Sequence, residues 1–327
     1  MSFSASLAAL SLAFVLAAAS CGGADDGMPA TLEEAMALEE AREAAAPPAS
    51  SAGADPELVP ADTTTAFDSE TTALFERIIS RAEAERWADR PYGEIIQLVG
   101  EQLQGQPYVA GMLDEPEEET LVVTLRGFDC VLYIENVVAL ARAIALGTPT
   151  YAAYAENVER QRYRDGEMQG YCSRLHYFSD WIRDNQARGW VRNVTAEAGG
   201  EPFDKRLTFM SEHRESYPKL DDDATYACIV DMERRLAGLD MVVIPQDAIA
   251  ESYGALQPGD IIATATSIGG LDVTHTGFVH KTPEQTGFMH ASLSSNAVKI
   301  SPDLQSYVQG IRSQVGVVVA RPIDPRQ

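Results

Sequence analysis

The sequence predicts an α+β domain, with helices first and an antiparallel sheet after them. Apolar residues recur at helical spacing through the early globular region. From about residue 241 the pattern changes to short runs of strand length separated by Gly, Pro and Asn. Elements grouped in two blocks, rather than alternating, distinguish such a domain from a parallel α/β fold. With 327 residues, 45% of them hydrophobic and 8% aromatic, the chain can fill a packed core.

In chain order, residues 1–20 are apolar and end in small residues directly before Cys21, the pattern of a cleaved export signal. The run is short and alanine-rich for a membrane span, and no other uncharged run approaches the roughly 18 residues a spanning helix needs. The Ala18-Ala19-Ser20-Cys21 segment resembles a bacterial lipoprotein box, which implies lipidation at Cys21 and a membrane link through that anchor alone. Ala18 stands where leucine is usual, and no Lys or Arg precedes it. Ordinary secretion is the alternative. Residues 21–66 are rich in Ala, Pro, Ser, Asp and Glu, too poor in apolar surface to offset the entropy of ordering. They read as an acidic tether, and residues 67–327 as the catalytic domain.

Within that domain Leu74, Ile78 and Ile79 mark one helix. Ile95, Ile96, Val99 and Leu103 mark a second over 92–104, broken by Gly105-Gln106-Pro107. Residues 121–125 are β-rich. Asp129-Cys130 then opens an apolar helix over 131–146, stopped by Gly147-Thr148-Pro149. Strands are expected at 241–244, 260–265, 271–281, 287–293, 297–301 and 315–321.

A net charge of -24 would repel nucleic acid and anionic membrane surfaces. With four cysteines and five histidines, the candidates for chemistry can be weighed one at a time. Cys130 sits at a helix start behind the N-cap Asp129, where the helix dipole and unpaired amides favour thiolate and its own N–H can hold an oxyanion. The competing reading is a buried structural thiol. His275 lies on a strand, on the same face as Gly277 and opposite His280, and bare Gly277 leaves room for a nucleophile or substrate. His290 on the next strand can orient the His275 ring as the third member of a triad. Motifs for zinc and serine hydrolases and for phosphate loops are missing, so the expected chemistry needs no cofactor.

These residues resemble those of a known family. Tyr108 after Gly105-Gln106-Pro107, Asp129-Cys130 opening a helix, the strand histidine and the polar residue beyond it look like the NlpC/P60 papain-like peptidases. The segments 92–96, 107–111, 125–130, 172–182 and 270–275 resemble more specifically the DUF1460 branch, the N-acetylmuramoyl-L-alanine amidase-like proteins; 173–182 is the most specific. The resemblance implies a papain-like fold and hydrolysis of the amide joining muramic acid to L-alanine in peptidoglycan fragments. It implies Cys130 as nucleophile, His275 as base, His290 as orienter, Tyr108 as a pocket residue, and a substrate cleft lined by 173–180. A rival on the same fold is an endopeptidase cutting between D-glutamate and the diamino acid. Another is a non-catalytic wall-binding lipoprotein.

Ser173, Arg174, His176, Tyr177 and Asp180 are therefore substrate-binding candidates, as is Arg126, four residues before the nucleophile. An arginine fork suits stem-peptide carboxylates. For Arg174 the competing reading is a salt bridge with Asp180. Cys172 and Cys228 can pair or remain free. Asn193-Val194-Thr195 matches a glycosylation acceptor, which means little if the source is bacterial.

Overall fold

The computed structural model describes residues 69–327. The export signal, Cys21 and the tether lie outside the described residues. Eight α-helices are described: α1 (Ser69–Ala84), α2 (Tyr92–Gln102), α3 (Cys130–Ala145), α4 (Tyr151–Arg162), α5 (Phe178–Ala187), α6 (Phe209–Glu212), α7 (Asp223–Leu236) and α8 (Leu304–Gln309). The strands are β1 (Val191–Asn193), β2 (Glu201–Phe203), β3 (Met241–Pro245), β4 (Ile261–Thr266), β5 (Val273–Lys281), β6 (Thr286–Ser292), β7 (Ala297–Ser301) and β8 (Gln314–Pro322). They form one sheet in the order β2-β3-β8-β4-β5-β6-β7, with β1 also on β8, and every pairing is antiparallel. No described helix is long and apolar enough to cross a membrane.

Local chemistry sets the helix ends. The Asp129 carboxylate accepts from the Leu132 amide at 2.7 Å and caps α3. Gly147 follows that helix with φ 67, a left-handed turn that costs a glycine little. Thr150 caps α4 in the same way, through the Ala153 amide. α3 is buried around nearly its whole circumference. It packs with α1, α2 and α4 against one sheet face, where Phe278, Met289, Ala263 and Val318 meet Tyr133, Ile134 and Val137. Alternation sends Ile262, Val279, Phe288 and Val319 to the other face, under Leu304 and Val308. A third cluster, with Tyr177, Phe209, Ile229 and Leu236, lies around α7.

The expected helices and strands recur within a few residues, with one exception. Residues 121–125 are irregular rather than a strand, because their carbonyls are taken by side chains of α4: Arg162 Nη1 donates to Val122 O at 2.6 Å and Tyr154 Oη to Thr124 O at 3.3 Å. The sequence expectations omit α4, α5, α6, α7 and α8, and the three-residue β1 and β2.

Cys172 and Cys228 form a disulfide with Cα atoms 6.1 Å apart, so the pairing left open by the sequence is made. The bridge spans 56 residues and ties α7 to the segment leading into α5. By the chain-entropy relation, a closed loop of that length is worth about 4 kcal/mol. A Cys172→Ala/Cys228→Ala protein should lose stability of that order in urea unfolding. A loss under about 1 kcal/mol would show that the bridge constrains little.

Candidate active site

Cys130 opens α3, and its thiol is buried. The β5–β6 ladder runs from Lys281↔Thr286 to Phe278↔Met289 and ends there. Beyond that point the first turn of α3 becomes a partner of β5: Thr276 Oγ1 donates to the Cys130 carbonyl at 3.0 Å. The nucleophile candidate thus sits against the residue that directly follows His275.

On β5, His275 Nε2 lies 2.8 Å from His290 Nδ1, and His290 Nε2 lies 3.0 Å from Ser301 Oγ on β7. Phe288 and Tyr307 wall the two imidazoles, with ring centroids 4.7 Å from His290 in each case. His290 is fully buried, and burial, then His275, hold it neutral, with a pKa well below the ordinary histidine value.

Two expectations about this site change. Burial, and next the charge of Asp129, push the Cys130 thiol up to about 12, outweighing the helix start. The resting group is a thiol, not a thiolate. Gly277 does not open space beside His275 either. A Cβ there would lie 2.5 Å from Phe288 Cε2, so the bare position accommodates that ring, not a substrate.

Tyr108 comes to the site through its backbone. Val109 N donates to Phe128 O at 3.0 Å, Phe128 N to Pro107 O at 3.1 Å, and Tyr108 N to Asn296 O at 3.2 Å. Residues 107–109 therefore run between Phe128, two residues before Cys130, and the Asn296 turn. Gly127 permits this close approach, since a Cβ would sit 2.6 Å from Val109 Cγ2.

The other binding candidates are largely committed elsewhere. Arg126 pairs with Glu70 of α1 at 2.9 Å. Ser173 Oγ closes its own turn, donating to Gly170 O at 2.7 Å. Arg174 is buried and grips Glu119 and Asp114, at 2.6 and 2.8 Å, over the ring of Tyr171. Its salt bridge is therefore not with Asp180, which pairs instead with Arg164 on a neighbouring turn. The Arg174 guanidinium fork is engaged by the Glu119 and Asp114 carboxylates. Tyr177 Oη donates to Glu233 at 2.8 Å inside the α7 cluster, and His176 Nε2 lies 2.9 Å from Tyr171 O. The segment reaches β5 through Ser179, whose N–H and Oγ both donate to Asp272 Oδ2 at 2.7 Å, three residues before His275. It braces the His275 strand more than it lines a cleft.

Burial, and after it the Arg174 charge, lower the His176 pKa to about 3, against 6.5 when unfolded. Between those values the unfolded imidazole binds a proton that the folded one refuses, so stability falls as pH drops from 6.5 towards 3. Melting temperature followed over that window should fall less steeply for His176→Phe than for wild type. Equal slopes would remove His176 as the cause.

Sequence reasoning missed Thr276, Asp272 and Ser301. Thr276 was legible as the neighbour of His275 on the opposite strand face. Ser301 reaches His290 from another strand, and no spacing rule connects them.

Comparison with known proteins follows the same lines. Residues 98–316 match the family described as AmiA-like, N-acetylmuramoyl-L-alanine amidase-like. The crystal structure of an N-acetylmuramoyl-L-alanine amidase from Bacteroides uniformis superposes with a TM-score of 0.68 at 29% identity, over 71% of this chain and 99% of that one. A Bacteroides fragilis protein described as a candidate xylanase is 32% identical over 68% of this chain and 99% of its own, with a TM-score of 0.62. A DUF1460 protein of Legionella pneumophila shares the fold at 20% identity, covering 77% of this chain and 97% of its own, TM-score 0.55. No curated protein matches the sequence significantly. A match spanning most of the globular region, on a fold that superposes along the full length of these structures, shows that the chain belongs to the N-acetylmuramoyl-L-alanine amidase-like family.

Proposed function

We propose that this protein is an exported, cysteine-dependent amidase that hydrolyses the bond between N-acetylmuramic acid and L-alanine in peptidoglycan fragments. The observation that carries the reading is Cys130 at the start of a buried helix, its carbonyl bonded by Thr276, the residue that follows His275, with His275 itself paired to His290. Family membership supports the substrate class. The same parts fit a papain-like fold of the NlpC/P60 type, and the amino-terminal sequence fits an envelope protein anchored at Cys21.

With Nε2 committed to His290, His275 takes the thiol proton on Nδ1. Because the thiol is neutral at rest, proton transfer accompanies attack: the Sγ–C bond forms as the S–H bond breaks. The oxyanion is held by the Cys130 amide, one of the free N–H groups of the first turn of α3. The imidazolium returns its proton to the leaving amine nitrogen, freeing the stem peptide. Water, deprotonated by the same imidazole, then hydrolyses the acyl-enzyme.

A glycoside hydrolase would need two carboxylates facing each other across a cleft. Asp129 and Asp272, the carboxylates on the residues bordering Cys130 and β5, are both occupied in capping backbone amides. Mass spectrometry of digested muropeptides tests the proposal. Released peptide beginning with L-alanine supports it, and a dipeptide left on the sugar indicates an endopeptidase instead. Iodoacetamide separates a catalyst from a wall-binding protein: Cys130 should react roughly tenfold more slowly after His275→Ala, and equal rates would mean the imidazole does not serve the thiol.

A further inference from the structure

We infer that Ser301 is a positioning residue that sets the tautomers of both histidines, and thereby decides which nitrogen of His275 can act as a base. The inference rests on the proposed amidase chemistry and deepens it.

Three groups stand in line: His275 Nε2 to His290 Nδ1 at 2.8 Å, and His290 Nε2 to Ser301 Oγ at 3.0 Å. Each neutral imidazole carries one N–H, so only two proton arrangements satisfy the line. In the first, His275 Nε2–H donates to His290 Nδ1, and His290 Nε2–H donates to the Ser301 oxygen. His275 Nδ1 then carries a lone pair and can accept the thiol proton. In the second, the Ser301 hydroxyl donates to His290 Nε2, His290 Nδ1–H donates to His275 Nε2, and His275 Nδ1 already bears hydrogen. Only the first arrangement is competent. It also holds the imidazolium formed during attack, because His290 Nδ1 still accepts from Nε2–H of the charged ring.

The surroundings make the serine necessary. His290 is fully exposed to none of the solvent, at 0% accessibility, so water cannot take over the Nε2–H bond. The ring is fixed in place by Phe288 and Tyr307. Ser301 itself is buried on β7, opposite Phe288 in the ladder, where it cannot move away. Besides each other and the thiol of the proposed chemistry, the titratable and charged groups at the pair include the Tyr307 phenol and Lys299, whose charge disfavours an imidazolium on His290. An orphaned Nε2–H in such a site is unfavourable, and without the serine oxygen the proton shifts to Nδ1. Two N–H groups would then face each other across 2.8 Å unless His275 also changes tautomer, which removes its base.

Ser301→Ala should lower kcat for muropeptide cleavage by about ten- to a hundredfold with KM within about twofold, and Ser301→Thr, which keeps the hydroxyl on a strand-compatible side chain, should restore most of it. A packing defect would instead move melting temperature in step with activity and would leave the histidine tautomers alone. Long-range ¹H–¹⁵N spectra of the two histidines, recorded in Cys130→Ala protein, read the tautomers without any turnover. The Nε2–H form on both rings is expected, with conversion towards Nδ1–H on adding Ser301→Ala. Nδ1–H forms with Ser301 intact, or spectra unchanged by Ser301→Ala, would overturn the inference. If those spectra behave as expected but the wild-type protein releases no peptide, the amidase reading fails while the role of Ser301 in the tautomers stands.

Discussion

Replacing Cys130 by alanine is expected to reduce muropeptide cleavage by about 10⁴-fold or more, the scale seen when a covalent nucleophile is removed from a hydrolase. The thiol is the group that forms the acyl-enzyme, and no neighbouring hydroxyl is placed to replace it: the Thr276 oxygen is spent on the Cys130 carbonyl. Stability should change little. The substitution removes one sulfur from a site that already disfavours the thiolate, α3 keeps its Asp129 cap, and alanine suits a first helical turn. Circular dichroism melts should therefore agree within a few degrees while product release disappears. Residual turnover within tenfold of wild type would exclude Cys130 as nucleophile.

A second large effect is expected one turn further along the same helix. Glu135 of α3 and Arg162 of α4 form an ion pair in which both side chains are 1% exposed, with Arg162 Nε 2.6 Å from Glu135 Oε2. Arg162 also donates to Val122 O, the contact that holds 121–125 as an irregular segment. Removing one partner of a buried pair costs about 3–5 kcal/mol, since the other is left desolvated and uncompensated, and an abandoned carbonyl adds about 1 kcal/mol or more. Arg162→Met should thus destabilise the protein by about 5 kcal/mol in denaturant titration. Glu135 already has its pKa raised by burial, and losing Arg162 raises it further, so the loss should lessen as pH is lowered and the carboxyl takes a proton. The Arg162→Met/Glu135→Leu double variant should recover most of the stability. A double variant as unstable as the single one would place the damage in packing and not in charge. Burial raises the pKa of Asp129, the cap beside the nucleophile, and the Arg162 charge partly offsets that.

Much of this arrangement was legible along the chain. Asp129 reads as a cap from its position before an apolar run, and the structure has it capping. Alternation separates His275 from His280, and His290, expected on the next strand, meets His275 at 2.8 Å. The β-rich run at 121–125 misled because propensity describes a residue's fit to a pleated surface, whereas these carbonyls found the side chains of α4 first. Arg174 was read as a ligand group or a partner of Asp180. Its partner is not Asp180, since Glu119 and Asp114 reach it from a loop more than fifty residues upstream.

The sequence by itself determined the α+β class, the helix start that presents Cys130, and the strand face that His275 shares with Gly277. Those features depend on periodicity and capping, which act over a few residues. Tertiary structure decided the rest: the thiol's neutral state, the Phe288 ring in the space beside Gly277, the disulfide between Cys172 and Cys228, and the serine at the end of the histidine line. Each depends on desolvation or on contact between groups distant in the chain, and neither can be read before the chain has closed on itself.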